Sequence, residues 1–269
     1  MIQAKAKIIK NIEVTPKYYK IVLSCLGIAQ AAKAGQFVML KTSDGHEPLL
    51  RRPFSIHGRN KADIEILYEA LGKGTEILSR KKTGEYLDII GPLGRGFNYQ
   101  SPGHQVAPSP SLGTPFGRRS TVLVAGGMGV APLLFLAKEL ANRKIMVLLG
   151  AKTKKQILCE EDFKKLGCEI KISTDDGSGG FKGYVSGLLK QVLTIIDYRP
   201  SAIYACGPRP MLKEISAIAK KYNIAAQISL EEHMACGIGA CLGCVVNTKK
   251  GYQPVCKEGP VFEADEIIW

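Results

Sequence analysis

The sequence predicts an α+β multi-domain fold with an N-terminal antiparallel β-barrel, a central α/β parallel sheet and a small cysteine-rich C-terminal segment. Three observations carry this prediction. Short strand-like runs recur up to residue 97, strand and helix patterns alternate from residue 120, and four of the eight cysteines fall within residues 236–256. The 269 residues are enough for two packed domains and a small further segment.

Residues 1–97 are predicted to form the barrel. Apolar or alternating runs are separated by turn residues such as Thr15-Pro16 and Gly91-Pro92, and they cover residues 6–9, 19–23, 36–40, 64–68 and 86–90. Several strands at this spacing are typical of a sandwich or small barrel. One helix is expected after Gly74, because Thr75 can cap it and Glu76 lies in its first turn.

Residues 98–119 interrupt the strand pattern. Four prolines, three glycines and several serines occur there, and the stretch between Tyr99 and Arg119 contains no acidic residue. This composition predicts a polar loop or linker. We expect an inert insertion, with ordering on a partner or cofactor as the alternative.

Residues 120–225 alternate between strands and helices. The predicted strands cover residues 121–125, 145–149, 169–174, 202–206 and 227–230, and the predicted helices cover 132–142, 185–193 and 210–221. Such alternation predicts a parallel sheet with helices on its faces. The last strand leads into a C-terminal segment, residues 226–269.

Charge and hydropathy exclude several classes of function. Lysine and arginine number 37 against 24 acids, giving a formal charge of +13. These basic residues are spread in ones and twos, as at Lys81-Lys82, so we predict no nucleic-acid binding. They suit anionic small molecules, an acidic partner or simple solubility. No apolar run reaches the eighteen or so residues of a membrane span, and residues 1–5 lack a secretory signal pattern, so we predict a cytoplasmic protein.

Four cysteines have the spacing Cys236-x4-Cys241-x2-Cys244-x11-Cys256. The first two intervals match the plant-type pattern for a [2Fe–2S] cluster, in which one loop supplies three thiolates and a distant residue supplies the fourth. Glycines between them allow the loop to fold tightly around the sulfurs. A four-cysteine zinc site and four buried free thiols are the alternatives, although structural zinc sites usually present two cysteine pairs.

A glycine-rich turn follows the first strand of the central region. Gly126, Gly127 and Gly129 precede a helix, an arrangement that lets backbone amides approach a diphosphate in Rossmann-like folds. A tight turn without a ligand is the alternative. Two further segments follow strand ends, one containing Asp175 and the other Cys206-Gly207-Pro208. Because the carboxyl ends of parallel strands share one sheet edge, these segments predict a bound dinucleotide.

Three segments of the barrel region suit a flavin. In Arg52-Pro53-Phe54-Ser55, the arginine can pair a flavin phosphate and the serine can meet the isoalloxazine edge. Leu67-Tyr68-Glu69 and Gly74-Thr75 follow, and the second could place a helix N-terminus against the pyrophosphate. Each segment alone is equally compatible with solvated surface or an ordinary turn.

Taken in order, these motifs resemble the ferredoxin–NADP⁺ reductase superfamily. The stretch from His233 to Cys244 narrows the resemblance to the electron-transfer subunits of class 1B dihydroorotate dehydrogenase, over nearly the whole chain except residues 98–119. The resemblance implies that the barrel binds FAD, the central domain binds NAD, and the four clustered cysteines bind one [2Fe–2S] cluster. It also implies a partner, an FMN-containing catalytic subunit that oxidises dihydroorotate in pyrimidine (UMP) biosynthesis, joined in a heterotetramer.

The resemblance further implies an order of electron transfer from FMN through the cluster and FAD to NAD⁺. No catalytic acid–base residue is then needed in this chain, and Cys206 is expected to pack near the nicotinamide. Glu69 stands where relatives often carry a basic or neutral residue, which puts its flavin contact in doubt. The four histidines are expected to be structural or surface residues rather than catalytic ones, and His233 is the exception to watch because it borders the cluster loop. The choice between NAD and NADP stays open, because Asp175 and nearby lysines point in opposite directions.

Two other functions remain open from the sequence. The first is an NAD(P)H-linked flavin and iron–sulfur reductase subunit that serves sulfite reductase, hydrogenase or ferredoxin. The second is a basic, zinc-bearing module that binds nucleic acid. The absorption spectrum of the purified protein separates flavin and iron–sulfur chemistry from a colourless zinc protein.

Overall fold

The computed structural model describes residues 1–43, 45, 47–99, 120–194 and 200–269. Within them lie two seven-stranded sheets and a separate two-stranded hairpin. The fold class predicted from the sequence is confirmed. The predicted linker lies outside the described residues except for Asn98 and Tyr99, and so do His46 and His104.

The first sheet is antiparallel and has the order β4-β3-β7-β1-β2-β6-β5. Its strands are β1 (Ile2–Thr15), β2 (Tyr18–Ser24), β3 (Phe37–Lys41), β4 (Arg52–Ser55), β5 (Gly58–Arg59), β6 (Asp63–Glu69) and β7 (Tyr86–Leu93). Helices α1 (Leu26–Ala31) and α2 (Lys73–Ser79) connect them. The alternation in β7, where Leu87 and Ile89 are buried and Tyr86 is exposed, is the period-2 pattern of a half-buried strand. Strand β4 tolerates Pro53 because it lies at the sheet edge.

The second sheet has six parallel strands in the order β11-β10-β9-β8-β12-β13. They are β8 (Ser120–Gly126), β9 (Lys144–Ala151), β10 (Glu169–Thr174), β11 (Phe181–Lys182), β12 (Ala202–Cys206) and β13 (Ala225–Ser229). Its helices are α3 (Val130–Glu139), α4 (Glu160–Lys165), α5 (Val185–Thr194) and α6 (Arg209–Lys221). Every residue of β8 is buried because helices cover both faces of a parallel sheet. The chain reverses direction across the sheet between β8 and β12, which makes their carboxyl ends a topological switch point.

Three elements follow β13. A hairpin is formed by β14 (Val245–Thr248) and β15 (Gly251–Pro254), and the short helix α7 (Val255–Glu258) comes directly after it. Strand β16 (Val261–Glu263) then returns to the second sheet and pairs antiparallel with β13. The periodicity analysis predicted neither the hairpin nor β16, since four-residue and three-residue strands carry almost no pattern of their own. In the described residues, no helix is both long and apolar enough to cross a bilayer.

The two sheets are joined through helix α3. Nδ1–H of His57, which follows β4, donates a hydrogen bond to the carbonyl oxygen of Ala131 at 3.0 Å. Two ion pairs reinforce this junction, Arg59 with Glu139 at 3.7 Å and Lys138 with Glu65 at 3.7 Å. His57 is almost completely buried, and burial lowers its pKa from 6.5 to about 4. The ring is therefore a neutral donor in the folded protein.

This burial makes the stability of the protein depend on pH. The unfolded chain binds a proton at His57 below pH 6.5, whereas the folded protein binds it only near pH 4. We therefore expect the free energy of unfolding to fall between pH 6.5 and 4, by about 3 kcal/mol from this residue. Urea denaturation of the wild-type protein and of His57→Gln across this range measures the effect. The variant should show a flatter profile, and two parallel profiles would contradict the assignment.

Candidate functional site

A cavity of about 540 Å³ lies where the two sheets and the C-terminal segment meet. Each of these three parts of the chain supplies one wall. The lining residues are Phe37, Pro53, Phe54, Ser55, Leu67, Tyr68, Glu69, Met128, Ala131, Arg209, Ser229, Leu230, Glu231, Glu232, His233, Met234 and Pro260. Six of the predicted flavin-binding residues are among them, which brings Pro53, Phe54, Ser55, Leu67, Tyr68 and Glu69 to one place.

Arg52 lies just beyond the cavity wall, beside the start of helix α2. A Cβ atom on Gly74 would lie 3.1 Å from Nε of Arg52 and 3.4 Å from Oγ1 of Thr42. The Thr42 hydroxyl is buried and has no hydrogen-bond partner among the described residues. A glycine cradle beside a guanidinium and an unpartnered hydroxyl fits a phosphate group. Thr42 was not predicted from the sequence, because a single threonine after a strand belongs to no motif.

The hydroxyl of Thr75 is already engaged in the turn before α2. It accepts hydrogen bonds from the amides of Leu71 and Gly72, at 3.0 and 3.1 Å, and donates to the Gly72 carbonyl at 3.0 Å. Thr75 therefore shapes the backbone around Gly74, while Arg52 and Gly74 remain the groups nearest to an incoming phosphate.

Aromatic packing fixes the wall that carries the predicted flavin residues. The ring of Tyr68 stacks on Tyr19 at 5.6 Å and meets Phe54 edge-on at 5.8 Å. Its hydroxyl donates to Oδ1 of Asn11 at 3.0 Å, and burial raises its pKa well above the usual range. Because these contacts leave Tyr68 only 1% exposed, it acts as a rigid support for the wall.

Glu69 is placed in the cavity wall and also interacts with Tyr18, its cross-strand neighbour on β2. Burial, together with the charge of Glu69 and a hydrogen bond to it, raises the pKa of Tyr18. The Tyr18 hydroxyl also forms a hydrogen bond with the side chain of Gln156, in the segment that follows β9. Glu69 therefore lies where the barrel approaches the parallel sheet.

The glycine-rich turn after β8 interlocks with the turn after β12. A Cβ atom on Gly129 would lie 2.0 Å from the Cys206 carbonyl oxygen, and one on Gly126 would lie 2.8 Å from Cδ of Pro208. These glycines are required by packing between the two turns. Gly127 differs, since it has φ +53° and nothing within 4 Å of a Cβ position. Gly127 therefore faces the open space at the start of helix α3, where an anion is favoured.

Two residues of the predicted nucleotide site, Cys206 and Asp175, differ in burial and in their distance along the sheet from β8. Cys206 is 1% exposed at the end of β12, next to the cavity, and burial followed by the charge of Glu231 raises its pKa well above its ordinary range. This environment keeps the thiol protonated and unreactive. Asp175 is exposed at the end of β10, separated from β8 by β9, and it does not line the cavity.

The third wall contains groups that the sequence analysis did not single out. Nη1 of Arg209 pairs with Oε1 of Glu232 at 2.7 Å, and its guanidinium lies 6.0 Å from the ring centre of Trp269. Glu231 faces the cavity without an ion pair among the described residues. Glu231 is an exposed residue, although neighbouring protein atoms desolvate its carboxylate in part and raise its pKa. Glu231 and Glu232 follow soon after β13, and no periodic pattern in the sequence predicted a role for them.

The hairpin brings the distant fourth cysteine to the cysteine loop. Cys244 immediately precedes β14, and Cys256 follows the end of β15, so antiparallel pairing of Val245 with Pro254 places the two thiols together. The amide of Cys256 donates to Sγ of Cys244 at 3.4 Å, and the thiols of these residues interact. The eleven-residue interval between them is therefore the length of a hairpin.

Backbone amides of the loop point at the sulfurs. The Gly239 amide donates to Sγ of Cys256 at 3.0 Å, and the Ile238 amide donates to Sγ of Cys236 at 3.4 Å. Although burial acts in the opposite direction, hydrogen bonds from this loop lower the pKa of Cys236 to about 6. Burial and the neighbouring Cys244 raise the pKa of Cys256 to about 12. Metal binding would supply the positive charge that the buried thiolate needs.

The four thiols approach one another in two pairs, Cys236 with Cys241 and Cys244 with Cys256. Two thiolates on each of two irons is the ligand set of a [2Fe–2S] cluster, whereas a structural zinc ion needs four ligands at one point. The cysteines thus fit the binuclear cluster better than zinc.

The cysteine loop packs against the barrel beside the cavity. Gly237 has φ +72°, and a Cβ atom there would lie 2.6 Å from Cγ of Met39 on β3. Met39 is in turn the ladder partner of Pro53. His233 and Met234 line the cavity only two or three residues before Cys236. The cluster loop therefore contacts the barrel at Met39, on the strand next to the one that carries Pro53 of the predicted flavin wall.

Two family models match the chain. Residues 231–268 match the iron–sulfur cluster binding domain of dihydroorotate dehydrogenase B, and residues 123–217 match the oxidoreductase NAD-binding domain. These ranges contain the four clustered cysteines and the glycine-rich turn, respectively.

Relatives and solved structures agree with these matches. The dihydroorotate dehydrogenase B (NAD(+)) electron transfer subunit of Desulforamulus reducens is 42% identical over 98% of this chain and 97% of that protein. A chain of the NADH-dependent reduced ferredoxin–NADP oxidoreductase superimposes with a TM-score of 0.81 at 25% identity, covering 99% of this chain and 90% of that one. A ferredoxin–NADP⁺ reductase from Neisseria gonorrhoeae shares the fold, with a TM-score of 0.64 at 18% identity over 82% and 91%.

Proposed function

The chain belongs to the family of dihydroorotate dehydrogenase B electron transfer subunits, and we propose from this premise that it carries electrons from a dihydroorotate-oxidising partner to NAD⁺. The single observation that best supports this role is the cavity with three walls. The predicted flavin residues, the carboxyl ends of β8 and β12, and the segment leading to Cys236 all meet there. A subunit of this kind would serve pyrimidine biosynthesis.

The proposed cofactor sites follow from these walls. FAD would lie along β4 and β6, with its phosphates near Arg52, Gly74 and Thr42. NAD would lie across the turns at Gly127 and Gly207, and the relatives' names specify NAD(+). The clustered cysteines would bind the [2Fe–2S] cluster. When bound, the flavin exchanges one or two electrons and the cluster exchanges one.

The chain's own residues orient these groups and keep water out. Met39 contacts the cluster loop at Gly237 and is the ladder partner of Pro53 in the flavin wall, so the two cofactors would be held by neighbouring parts of the chain. The rigid Tyr68 lines the cavity, and buried Cys206 lies behind it as the ladder partner of the lining residue Ser229. Neither side chain needs to exchange a proton for this chemistry.

The proposed division of the chain keeps residues 1–97 for FAD, 98–119 as a linker, 120–225 for NAD and 226–269 for the cluster. Strands of the first sheet end at Leu93 and those of the second begin at Ser120, which supports the first two limits.

The proposed compartment is the cytoplasm. The eight cysteines form no disulfide, which suits a reducing compartment.

The proposed partner is the FMN-containing catalytic subunit, in a heterotetramer of two such pairs. An apolar surface beside the cluster supports this docking position. Ile238 and Leu242 of the cysteine loop are 45% and 60% exposed, and Tyr252 of the hairpin is 76% exposed. Because Cys241 lies in the same loop and is also exposed, a partner that covers this surface approaches the cluster closely.

Reconstitution with the catalytic subunit tests this function. We expect dihydroorotate-dependent NAD⁺ reduction only when both subunits are present, and flavin and iron–sulfur absorption in the isolated chain. Leu242→Asp should weaken assembly, because it places a charge in the proposed interface. The backbone of the loop should be retained, because Leu242 has φ +55°, a conformation that aspartate tolerates. Leu26→Asp, at an equally exposed leucine of α1, is the matched control. A colourless zinc protein, or one that assembles only with sulfite reductase, hydrogenase or ferredoxin, would refute the proposal.

A further inference from the structure

Lys257 lies between the fourth cysteine and the loop that carries the other three. It follows Cys256 directly in helix α7, and it is exposed, whereas Cys256 is buried. A Cβ atom on Gly239 would lie 2.8 Å from Cδ and 3.0 Å from Cβ of Lys257. The aliphatic stem of Lys257 therefore packs against Gly239. Because only Cε separates Cδ from the ammonium group, the positive charge stays beside the loop.

The same glycine contacts the sulfur of Cys256. The Gly239 amide donates a hydrogen bond to Sγ of Cys256 at 3.0 Å. Gly239 has φ +82°, a conformation that glycine adopts at no steric cost, and its lack of a side chain leaves room for the lysine stem. The stem of Lys257 and the sulfur of Cys256 thus both contact the backbone of one loop residue.

Among the residues that the structure describes, no acid pairs with Lys257. The adjacent acid, Glu258, pairs instead with Arg95, with Oε2 and Nη2 2.5 Å apart. The two lysines of the hairpin turn are each paired with an acid near the C-terminus. Residues 236–244 contain no lysine, arginine or acidic residue. The charge of Lys257 therefore acts on the cysteine loop without a counter-charge from these neighbours.

A cluster bound at these cysteines is sensitive to such a charge. This step rests on the proposed function, in which the four cysteines bind a [2Fe–2S] cluster. Four thiolates and two sulfides outweigh the charge of two irons, so the bound group is anionic, and reduction adds one further negative charge. A fixed cation nearby stabilises the reduced state more than the oxidised state, and it thereby raises the reduction potential.

We propose that Lys257 sets the reduction potential of the cluster, and that its positive charge favours the uptake of single electrons from the partner subunit. The charge acts through space, so this role requires the ammonium group in addition to the packing of the stem on Gly239. Because Lys257 is exposed, dissolved ions screen the interaction. The effect is therefore largest at low ionic strength.

A redox titration of the cluster-loaded protein, followed by its electron paramagnetic resonance signal, tests the proposal. Lys257→Met keeps an unbranched stem over Gly239 and removes the charge. We expect the equilibrium constant for reduction of the cluster to fall about threefold to tenfold, which at about 59 mV for each tenfold change is a potential lower by about 30 to 60 mV. This shift should shrink at high ionic strength. Lys257→Arg keeps the charge and should retain the wild-type potential.

The control removes a lysine charge at the other edge of the second sheet. Lys190 is exposed on α5, which packs against β9 and β10, whereas the cysteine loop follows β13. Lys190→Met should leave the potential unchanged.

Three results would overturn the proposal. An unchanged potential in Lys257→Met, with weaker assembly, would show that Lys257 pairs with an acid of the partner subunit. An equal shift in Lys257→Arg would show that packing matters and charge does not. An equal shift in Lys190→Met would show an effect of net charge alone. Failure of the proposed function is distinguishable from these, because the wild-type protein would then give no cluster signal to titrate.

Discussion

Replacing Cys256 by alanine is expected to abolish the iron–sulfur absorption and electron paramagnetic resonance signals of the protein. Cys256 is buried, and the hairpin places it beside Cys244, so its thiol stands in the position of the fourth cluster ligand. Electron transfer from the catalytic subunit to NAD⁺ should fall on the order of 100-fold or more, since losing a ligand costs more than losing a hydrogen bond to one. Flavin content and NADH oxidation with a small artificial acceptor should remain.

A cysteine outside the cluster provides the control for this variant. Cys168 is partly buried at the start of β10, and burial raises the pKa of its thiol to about 11. Cys168→Ala should keep the cluster signals and the full electron-transfer rate. Retention of the cluster in Cys256→Ala, or its loss in Cys168→Ala, would show that the ligand assignment is wrong.

Arg52→Ala is expected to release the flavin. The guanidinium lies beside Gly74 and the Thr42 hydroxyl, which has no hydrogen-bond partner in the described part of the chain, and a phosphate there would receive a charge-assisted hydrogen bond. Such a bond contributes about 1.5–3 kcal/mol, so the affinity for FAD should fall about 10- to 100-fold. Titration of the apoprotein with FAD, followed by flavin fluorescence, measures this loss.

A variant of the adjacent arginine, Arg51, is the control that distinguishes loss of a phosphate ligand from loss of one positive charge. Nη2 of Arg51 pairs with Oδ2 of Asp88 at 2.6 Å, and its hydrogen bond lowers the pKa of that carboxyl. Arg51→Ala should therefore leave FAD affinity unchanged and cost at most about 1 kcal/mol of stability, because the pair is partly exposed. If the two variants lose FAD equally, Arg52 is not a specific phosphate ligand.

Some of the prediction from sequence depended on strong local signals. The strands β8, β10 and β12 lie where the apolar runs placed them, because buried parallel strands are continuous and hydrophobic. Helix α3 starts at Val130, two residues before the expected start at Pro132, since a proline is accepted anywhere in the first turn, where amides lack partners. Helices α1 and α4 were missed because six residues give too short a period to detect.

The candidate site likewise contains features that local sequence patterns predicted and features that they did not. Cysteine spacing predicted the cluster because ligand geometry constrains positions that are close in sequence. Glycine spacing located the turns at Gly126 and Gly129, but their close approach to Cys206 and Pro208 shows that packing also requires them. Asp175 was grouped with these residues because it follows a parallel strand, yet β9 separates it from β8.

By itself, the sequence determined the fold class, the order of the three parts and the four cysteines, because these depend on periodicity and on short intervals. Only the tertiary structure decided that the hairpin pairs Cys244 with Cys256, that Met39 contacts the cluster loop at Gly237, and that Arg209 pairs with Glu232. Such features depend on contacts between residues far apart in the chain. Chain folding sets these distances, and no local pattern of residues encodes them.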